Sequence, residues 1–295
     1  MLFAAFMLTI SSAAEMTALS KEARRSGNLI GLVPTMGALH EGHISLVRTA
    51  RSQSDLVVAS IFVNPAQFGP KEDFSKYPRT LEKDSALLQA EKVDCLFCPT
   101  VEEIYPAGTS TWVTVEGLSE KLDGRSRPGH FRGVTTVVCK LFNIVQPDIA
   151  FFGQKDAAQA AIIRKMVRDL DFDVRIVVCP IVREKDGLAM SSRNAYLSPE
   201  QRKHAAVLYR ALMRVQTLAD QGESDSARLI SAGKQVISEE PHTRLDYFEI
   251  VNWGTLDPVA DISKGALLAV AAYVGETRLI DNVMLMGVAQ VRRTT

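Results

Sequence analysis

The stretch that most constrains this chain is residues 29–47, Leu-Ile-Gly-Leu-Val-Pro-Thr-Met-Gly-Ala-Leu-His-Glu-Gly-His-Ile-Ser-Leu-Val. An apolar run from Leu29 to Val33 is cut by Pro34 and Gly37. After His40, Gly42 and His43 the apolar residues return at helical spacing, as Ile44, Leu46 and Val47. This pattern predicts strand, turn and helix, the opening of a parallel βαβ unit. Such a unit puts its turn at the carboxyl edge of the sheet, where backbone N–H groups and the helix N-terminus favour anions. His40 and His43 are three residues apart and share a helix face, so two imidazoles can donate hydrogen bonds to phosphate oxygens. Surface histidines or two ligands of a metal would look the same in isolation, but no third ligand and no cysteine lies near them in sequence.

The rest of the chain repeats the unit. Asp55–Val63 is a continuous apolar run, as expected of a parallel strand covered on both faces, and it ends in Asn64 and Gln67 at the same edge as the histidines. Leu81–Ala90 reads as a helix, Val93–Cys98 as a buried strand and Thr111–Val115 as a short alternating strand. Asp123–Gly133 is a Gly- and Arg-rich loop, and Val134–Val145 is an apolar helix. Ile149–Phe152 is a strand feeding Gly153–Asp156 and a helix to Leu170, and Val174–Val178 is a further strand. The alternation predicts an α/β fold, a Rossmann-like doubly wound parallel sheet over residues 1–180. After Pro180 the character changes. A polar segment, Ile181–Asn194, precedes two helices (Pro199–Asp220 and Ser224–Glu239) and two alternating strands (Leu245–Val251 and Ala266–Ala272). These predict a smaller α+β domain over 181–295.

Lys plus Arg equals Asp plus Glu, 34 each, which argues against a broad electrostatic grip on nucleic acid. Cys95 and Cys98 have C-x-x-C spacing, but on a strand their side chains point to opposite faces, so they read as core cysteines. Met1–Ile10 is apolar and is followed by Ser11–Ala14, faintly like a signal peptide. No Lys or Arg precedes it and it is too short to cross a membrane. A strand from Phe6 to Ile10 and a Ser-capped helix through Arg25 explain it as well, so the expectation is a cytoplasmic protein with no membrane partner.

Two further clusters follow predicted strands or loops. Lys155-Asp156 offers a cation for phosphates and a carboxylate for ribose hydroxyls, or a plain ion pair at a helix start. Met190-Ser-Ser-Arg193 offers two hydroxyls and a guanidinium on a Gly-preceded loop that can fold over a triphosphate, or a loop and nothing more. Taken with Pro34–His43, Phe62–Phe68, Tyr77–Thr80, Arg127–Phe131, Phe152–Asp156 with Gln159, and Arg183–Asn194, they resemble the pantothenate synthetase family of the H-x-G-H nucleotidyltransferase superfamily. Met190–Arg193 resembles the K-M-S-K-S loop of that superfamily.

The resemblance implies an ATP-dependent ligase. Pantoate's carboxylate attacks the α-phosphate of ATP, giving pantoyl adenylate and pyrophosphate, and the amine of β-alanine then displaces AMP. It implies that His40, His43, Lys155, Ser191, Ser192 and Arg193 hold the phosphates and stabilise the transferring centre. Gly153 and Asp156 would meet the ribose, Val182 and Met190 the adenine, and Met36 would border the nucleotide. Gln67, Gln159, Met36 and Phe62 would hold pantoate, with Asn64, Tyr77 and Arg127 as the rim. Mg²⁺ would bridge phosphate oxygens with few protein ligands, Asp84 through a water. A homodimer and a C-terminal domain closing as a lid over ATP are further implications. The family usually has Glu at the position of Gln154, and often an aromatic and Gln at Ala157 and Ala158. Against this stand a nucleotidyltransferase acting on a phosphorylated alcohol, disfavoured by the paired Gln67 and Gln159, and a non-catalytic nucleotide- or RNA-binding module.

Overall fold

The structure, a computed structural model, describes residues 7–70 and 72–286. In chain order, the first elements are β1 (Leu8–Ile10), α1 (Ala13–Arg25), β2 (Ile30–Thr35), α2 (Glu41–Arg51), β3 (Leu56–Ile61), α3 (Leu81–Ala90), β4 (Cys95–Phe97) and α4 (Val101–Ile104). They are followed by α5 (Asp123–Ser126), α6 (His130–Val145), β5 (Ile149–Gly153), α7 (Ala157–Asp169) and β6 (Arg175–Cys179). The last are α8 (Pro199–Ala205), α9 (Val207–Asp220), α10 (Ser226–Ser238), β7 (Thr243–Val251), β8 (Ala266–Val274) and β9 (Thr277–Leu285).

The chain forms two compact units. The first holds Met1–Glu120, Arg127–Gly153 and Ile162–Pro180. Its sheet is parallel throughout, in the order β1-β4-β3-β2-β5-β6. From β2 the chain steps outward to β3 and β4, then returns to place β5 on the other side of β2. The switch point therefore lies between the carboxyl ends of β2 and β5, where doubly wound sheets bind ligands. All six residues of β3 are buried, because helices cover both faces, and Leu46, Val47 and Ala50 of α2 pack with Val33, Val57 and Phe151. Ser12 caps α1 by accepting from the Glu15 amide. Residues 1–6, which include the start of the expected first strand, lie outside the described residues. Cys95 is buried in β4, and burial pushes its thiol up to about 12, which leaves it inert as a nucleophile.

The expected strand at Thr111–Val115 does not form. Hydroxyls of α6 take the place of a strand partner: the Val113 amide donates to Thr136 Oγ1 (3.0 Å) and its carbonyl accepts from Thr135 Oγ1 (2.6 Å). The Gly- and Arg-rich segment is also more ordered than its lack of periodicity implies, since α6 already begins at His130.

The second unit holds Lys121–Ser126, Gln154–Ala161 and Ile181–Thr295. A single cut at 180 leaves its first two segments elsewhere. Pairing explains their membership. Asp123 meets Arg278 at 2.8 Å, Arg125 meets Glu249 at 2.5 Å, and Asn282 Nδ2 donates to the carbonyls of Gln154 (2.9 Å) and Lys155 (3.0 Å). The sheet is antiparallel, β7-β8-β9, with Leu208, Leu212 and Val215 of α9 and Leu229 of α10 in a core with Phe248, Leu268 and Val270. β9 is not evident in the sequence, because buried Asp281 and Asn282 interrupt its apolar alternation. Among the described residues, no helix is long and apolar enough to cross a membrane.

Candidate active site

In the first unit the site begins where β2 ends. His40 is the N-cap of α2 and its Nδ1 accepts from the Gly42 amide at 3.1 Å, while the His40 amide donates to His43 Nδ1 at 3.4 Å. The two histidines thus form a reciprocal capping box, with ring centroids 4.1 Å apart. An imidazole whose Nδ1 accepts an N–H carries its neutral-form proton on Nε2. Each ring is held in the tautomer that offers Nε2–H as a donor.

The backbone of the preceding turn does not do what the sequence leads one to expect. Its N–H groups are engaged within the protein: Gly37 donates to Thr35 Oγ1 (3.1 Å), Ala38 to Asp84 Oδ2 (2.8 Å) and Leu39 to Asp84 Oδ1 (2.9 Å). These three amides are therefore committed within the protein. Asp84 itself is 1 % exposed and also accepts from Thr80 Oγ1 at 3.1 Å. Its carboxylate faces the turn, with both oxygens engaged there.

Beside the histidines, Gln67 ends a short 3₁₀ turn, Pro65–Gln67, capped by Asn64. Gln67 Nε2 donates to Met36 Sδ at 3.1 Å and its Oε1 accepts from Asn64 Nδ2 at 3.0 Å. Asn64 is not a rim residue. It is 1 % exposed, also donates to the Gly133 carbonyl (3.1 Å), and accepts from the Ala66 amide (3.2 Å) and the Tyr105 hydroxyl (2.9 Å). Burial pushes the Tyr105 phenol up to about 12, so it stays a donor. Tyr77 is likewise buried, its ring 6.0 Å from that of Phe68, and Phe62 is buried 6.3 Å from the Tyr105 ring. α6 can approach this turn because residue 133 is glycine: a Cβ there would lie 2.2 Å from the Ala66 carbonyl oxygen.

Arg127 is not an open rim cation either. Its Nε and Nη2 donate to Glu72 Oε1 and Oε2, both at 2.7 Å. Burial opposes ionisation of Glu72, but the hydrogen bonds and charge of Arg127 prevail and hold its carboxyl below the usual range. Arg127 Nη1 lies 3.0 Å from His130 Nε2, and His130 Nδ1 donates to the Gln67 carbonyl at 2.8 Å. His130, Glu72 and Tyr105 were not anticipated as site residues; the Arg-Pro-Gly-His string was the available signal for His130.

Gly153 closes β5 in the first unit, and the chain passes directly into the second. There Lys155 Nζ lies 3.4 Å from the Asp156 carboxylate. Asn282, 2 % exposed, holds this turn through the carbonyls of Gln154 and Lys155, and Gln154 Nε2 donates to Asn282 Oδ1 at 3.2 Å. That bond requires an amide donor at 154, which gives the departure to Gln a physical account. Ala157 and Ala158 are buried, where larger side chains have no room without repacking. Gln159 is half-buried.

Val182 and Met190 face each other across a hairpin, the Met190 amide donating to the Val182 carbonyl at 3.0 Å. Ser191 caps the following 3₁₀ turn, Ser192–Tyr196, by accepting from the Arg193 amide at 3.3 Å. The hairpin is fastened at its base by Arg183, bidentate to buried Asp281 at 2.6 and 2.9 Å. Asn194 and Arg202 fasten it further through Glu184, at 2.9 and 2.6 Å. Among the described residues, no group of three His, Cys, Asp or Glu side chains is arranged to hold a metal ion.

The sequence model described as Pantoate-beta-alanine ligase matches residues 8–284. The chain is 64 % identical to the pantothenate synthetase of Koribacter versatilis over 286 residues, 97 % of this chain and 98 % of that one. Pantothenate synthetase from Thermus thermophilus is similar in structure, with a TM-score of 0.90 and 51 % identity over 95 % of this chain and 100 % of that one. So is pantoate-beta-alanine ligase from Francisella tularensis, solved in complex with beta-gamma ATP and beta-alanine, with a TM-score of 0.78 and 33 % identity over 94 % and 97 % of the two chains. The chain belongs to the pantoate-beta-alanine ligase family.

Proposed function

We infer that this chain joins pantoate to β-alanine at the expense of ATP, releasing AMP and pyrophosphate. The observation that carries the reading is the His40–His43 capping box at the switch point of the sheet, in a chain whose family is known. A carboxylate oxygen of pantoate attacks the α-phosphorus and the bond to pyrophosphate breaks. The β-alanine nitrogen then attacks the acyl carbon of pantoyl adenylate, the bond to AMP breaks, and the amine gives up a proton.

Joining two anions calls for positioning and charge neutralisation rather than a covalent nucleophile. His40 and His43 donate Nε2–H to phosphate oxygens, and Lys155, Ser191, Ser192 and Arg193 hold the phosphates. Gly153 and Asp156 take the ribose, and Val182 and Met190 the adenine. Met36, Phe62, Gln67 and Gln159 take pantoate. The bidentate neutralisation of Arg127 by Glu72 supports an acceptor without a phosphate, since a phosphorylated acceptor calls for uncommitted positive charge.

A divalent ion fits this site as a companion of ATP rather than as a resident of a protein cage, because Asp84 already accepts three protein hydrogen bonds. Mg²⁺ arriving with ATP would supply charge neutralisation at the phosphates. We extend the reading to a homodimer in the cytoplasm, on the family resemblance; light scattering tests it by a mass of about twice 32.4 kDa. The reaction is tested by following nucleotide products with both acids present and with each omitted. AMP formed only when pantoate and β-alanine are both present, one per amide, is expected; ADP as product contradicts the reading.

A further inference from the structure

The turn between β2 and α2 carries two successive residues in the left-handed region, Gly37 at φ 82° and Ala38 at φ 51°. For a residue with a Cβ this region costs about 1 kcal/mol or more, so something must hold Ala38 there. Successive N–H groups in such a turn converge into an anion-binding concavity. In this protein the anion is the chain's own: the amides of Ala38 and Leu39 close on Asp84 Oδ2 and Oδ1 at 2.8 and 2.9 Å. Asp84 is 1 % exposed, and Thr80, the residue before α3, donates a third hydrogen bond at 3.1 Å. The contact is close on the other side as well, since a Cβ at Gly37 would lie 3.1 Å from Asp84 Oδ2. A buried carboxylate is costly unless its oxygens are satisfied, and a neutral amide at 84 offers only one acceptor to two adjacent N–H donors. His40 follows Leu39 directly.

We propose that Asp84 is the positioning residue of the His40–His43 pair: it holds the left-handed turn from which both imidazoles are set. The proposal rests on the reading of the two histidines as phosphate-binding groups.

The test is pantoate-dependent exchange of labelled pyrophosphate into ATP by wild type and Asp84→Asn over a range of Mg²⁺ concentration. Misplacing catalytic groups by a fraction of an ångström to 1 Å lowers turnover by up to about 100-fold. The expected result is a loss of that order in the exchange rate at saturating substrates, with the KM for pantoate and the Mg²⁺ dependence unchanged. An unchanged rate, or a loss recovered by raising Mg²⁺, overturns the proposal. Absence of exchange in the wild type overturns the functional reading instead, so the two failures are distinct. A second measurement needs no variant. In the wild type, hydrogen exchange of the Ala38 and Leu39 amides is slowed about 100-fold or more relative to an open loop, as for other buried hydrogen-bonded amides. Exchange at loop rates overturns the proposal even where Asp84→Asn does not fold.

Discussion

The amide of His40 donates to Nδ1 of His43, at 3.4 Å, while the His40 ring caps the same helix through the Gly42 amide. The pair is therefore at once a helix cap and a chemical device, and the two roles separate by substitution. His40→Asn keeps a side-chain acceptor at the N-cap and loses the Nε2–H donor. We expect turnover to fall on the order of 100-fold, as when one oxyanion donor is removed, with little change in the thermal midpoint. His40→Ala loses the cap too and costs about 1 kcal/mol of stability in addition. Equal stability of the two variants in thermal unfolding contradicts the cap.

Glu72 and Arg127 brace the carbonyl of Gln67 through His130. The Glu72 carboxyl is held below its usual range, so its contribution to stability is fully present above the unfolded value of about 4.3. It is lost as pH falls through the lower folded value. The stability gap between wild type and Glu72→Gln in urea denaturation is accordingly constant at neutral pH and closes below about pH 4. A gap that widens on acidification contradicts the pair.

Asn282 donates to two consecutive carbonyls and accepts from Gln154. Asn282→Ala leaves these buried groups without partners, at about 1–3 kcal/mol in chemical denaturation. By loosening the turn that carries Lys155 it raises the KM for ATP more than that for pantoate. A selective rise for pantoate contradicts this assignment.

Gly133→Ala puts a methyl 2.2 Å from the Ala66 carbonyl oxygen, a backbone atom that cannot rotate away. Overpacking of this kind costs about 1–3 kcal/mol, and the strain falls on the turn carrying Gln67. We expect a raised KM for pantoate with ATP binding retained, measured by initial rates and nucleotide titration.

Chelation of divalent ions abolishes turnover and Mg²⁺ restores it, while the thermal midpoint of the nucleotide-free protein does not move. A midpoint that falls on chelation contradicts an ion that arrives with ATP, since a resident ion stabilises the fold it binds.

The strand–turn–helix at residues 30–51 was legible because every signal for it is local: an apolar run, Pro34, Gly37 and a helical repeat. The buried parallel strands were legible for the same reason. What stayed hidden depends on partners far apart in the chain. Asp84 acts on amides 45 and 46 residues away, Glu72 on a guanidinium 55 away, and His130 on a carbonyl 63 away. Asn282 reaches back 127 and 128 residues. Thr111–Val115 misled because its alternation is real but its hydrogen bonds go to the hydroxyls of Thr135 and Thr136. The resemblance that puts Asn64 and Arg127 at a rim carries no information on their partners; both are buried or half-buried because their groups are satisfied internally.

The most direct measurement of the central claim is pantoate-dependent exchange of labelled pyrophosphate into ATP, with Mg²⁺ and without β-alanine, in wild type and His43→Ala. The account predicts exchange in the wild type, none without pantoate, and a loss on the order of 100-fold or more in the variant. Folded wild-type protein that binds ATP but shows no exchange contradicts an adenylate-forming site, and full exchange in His43→Ala contradicts the role given to the histidines.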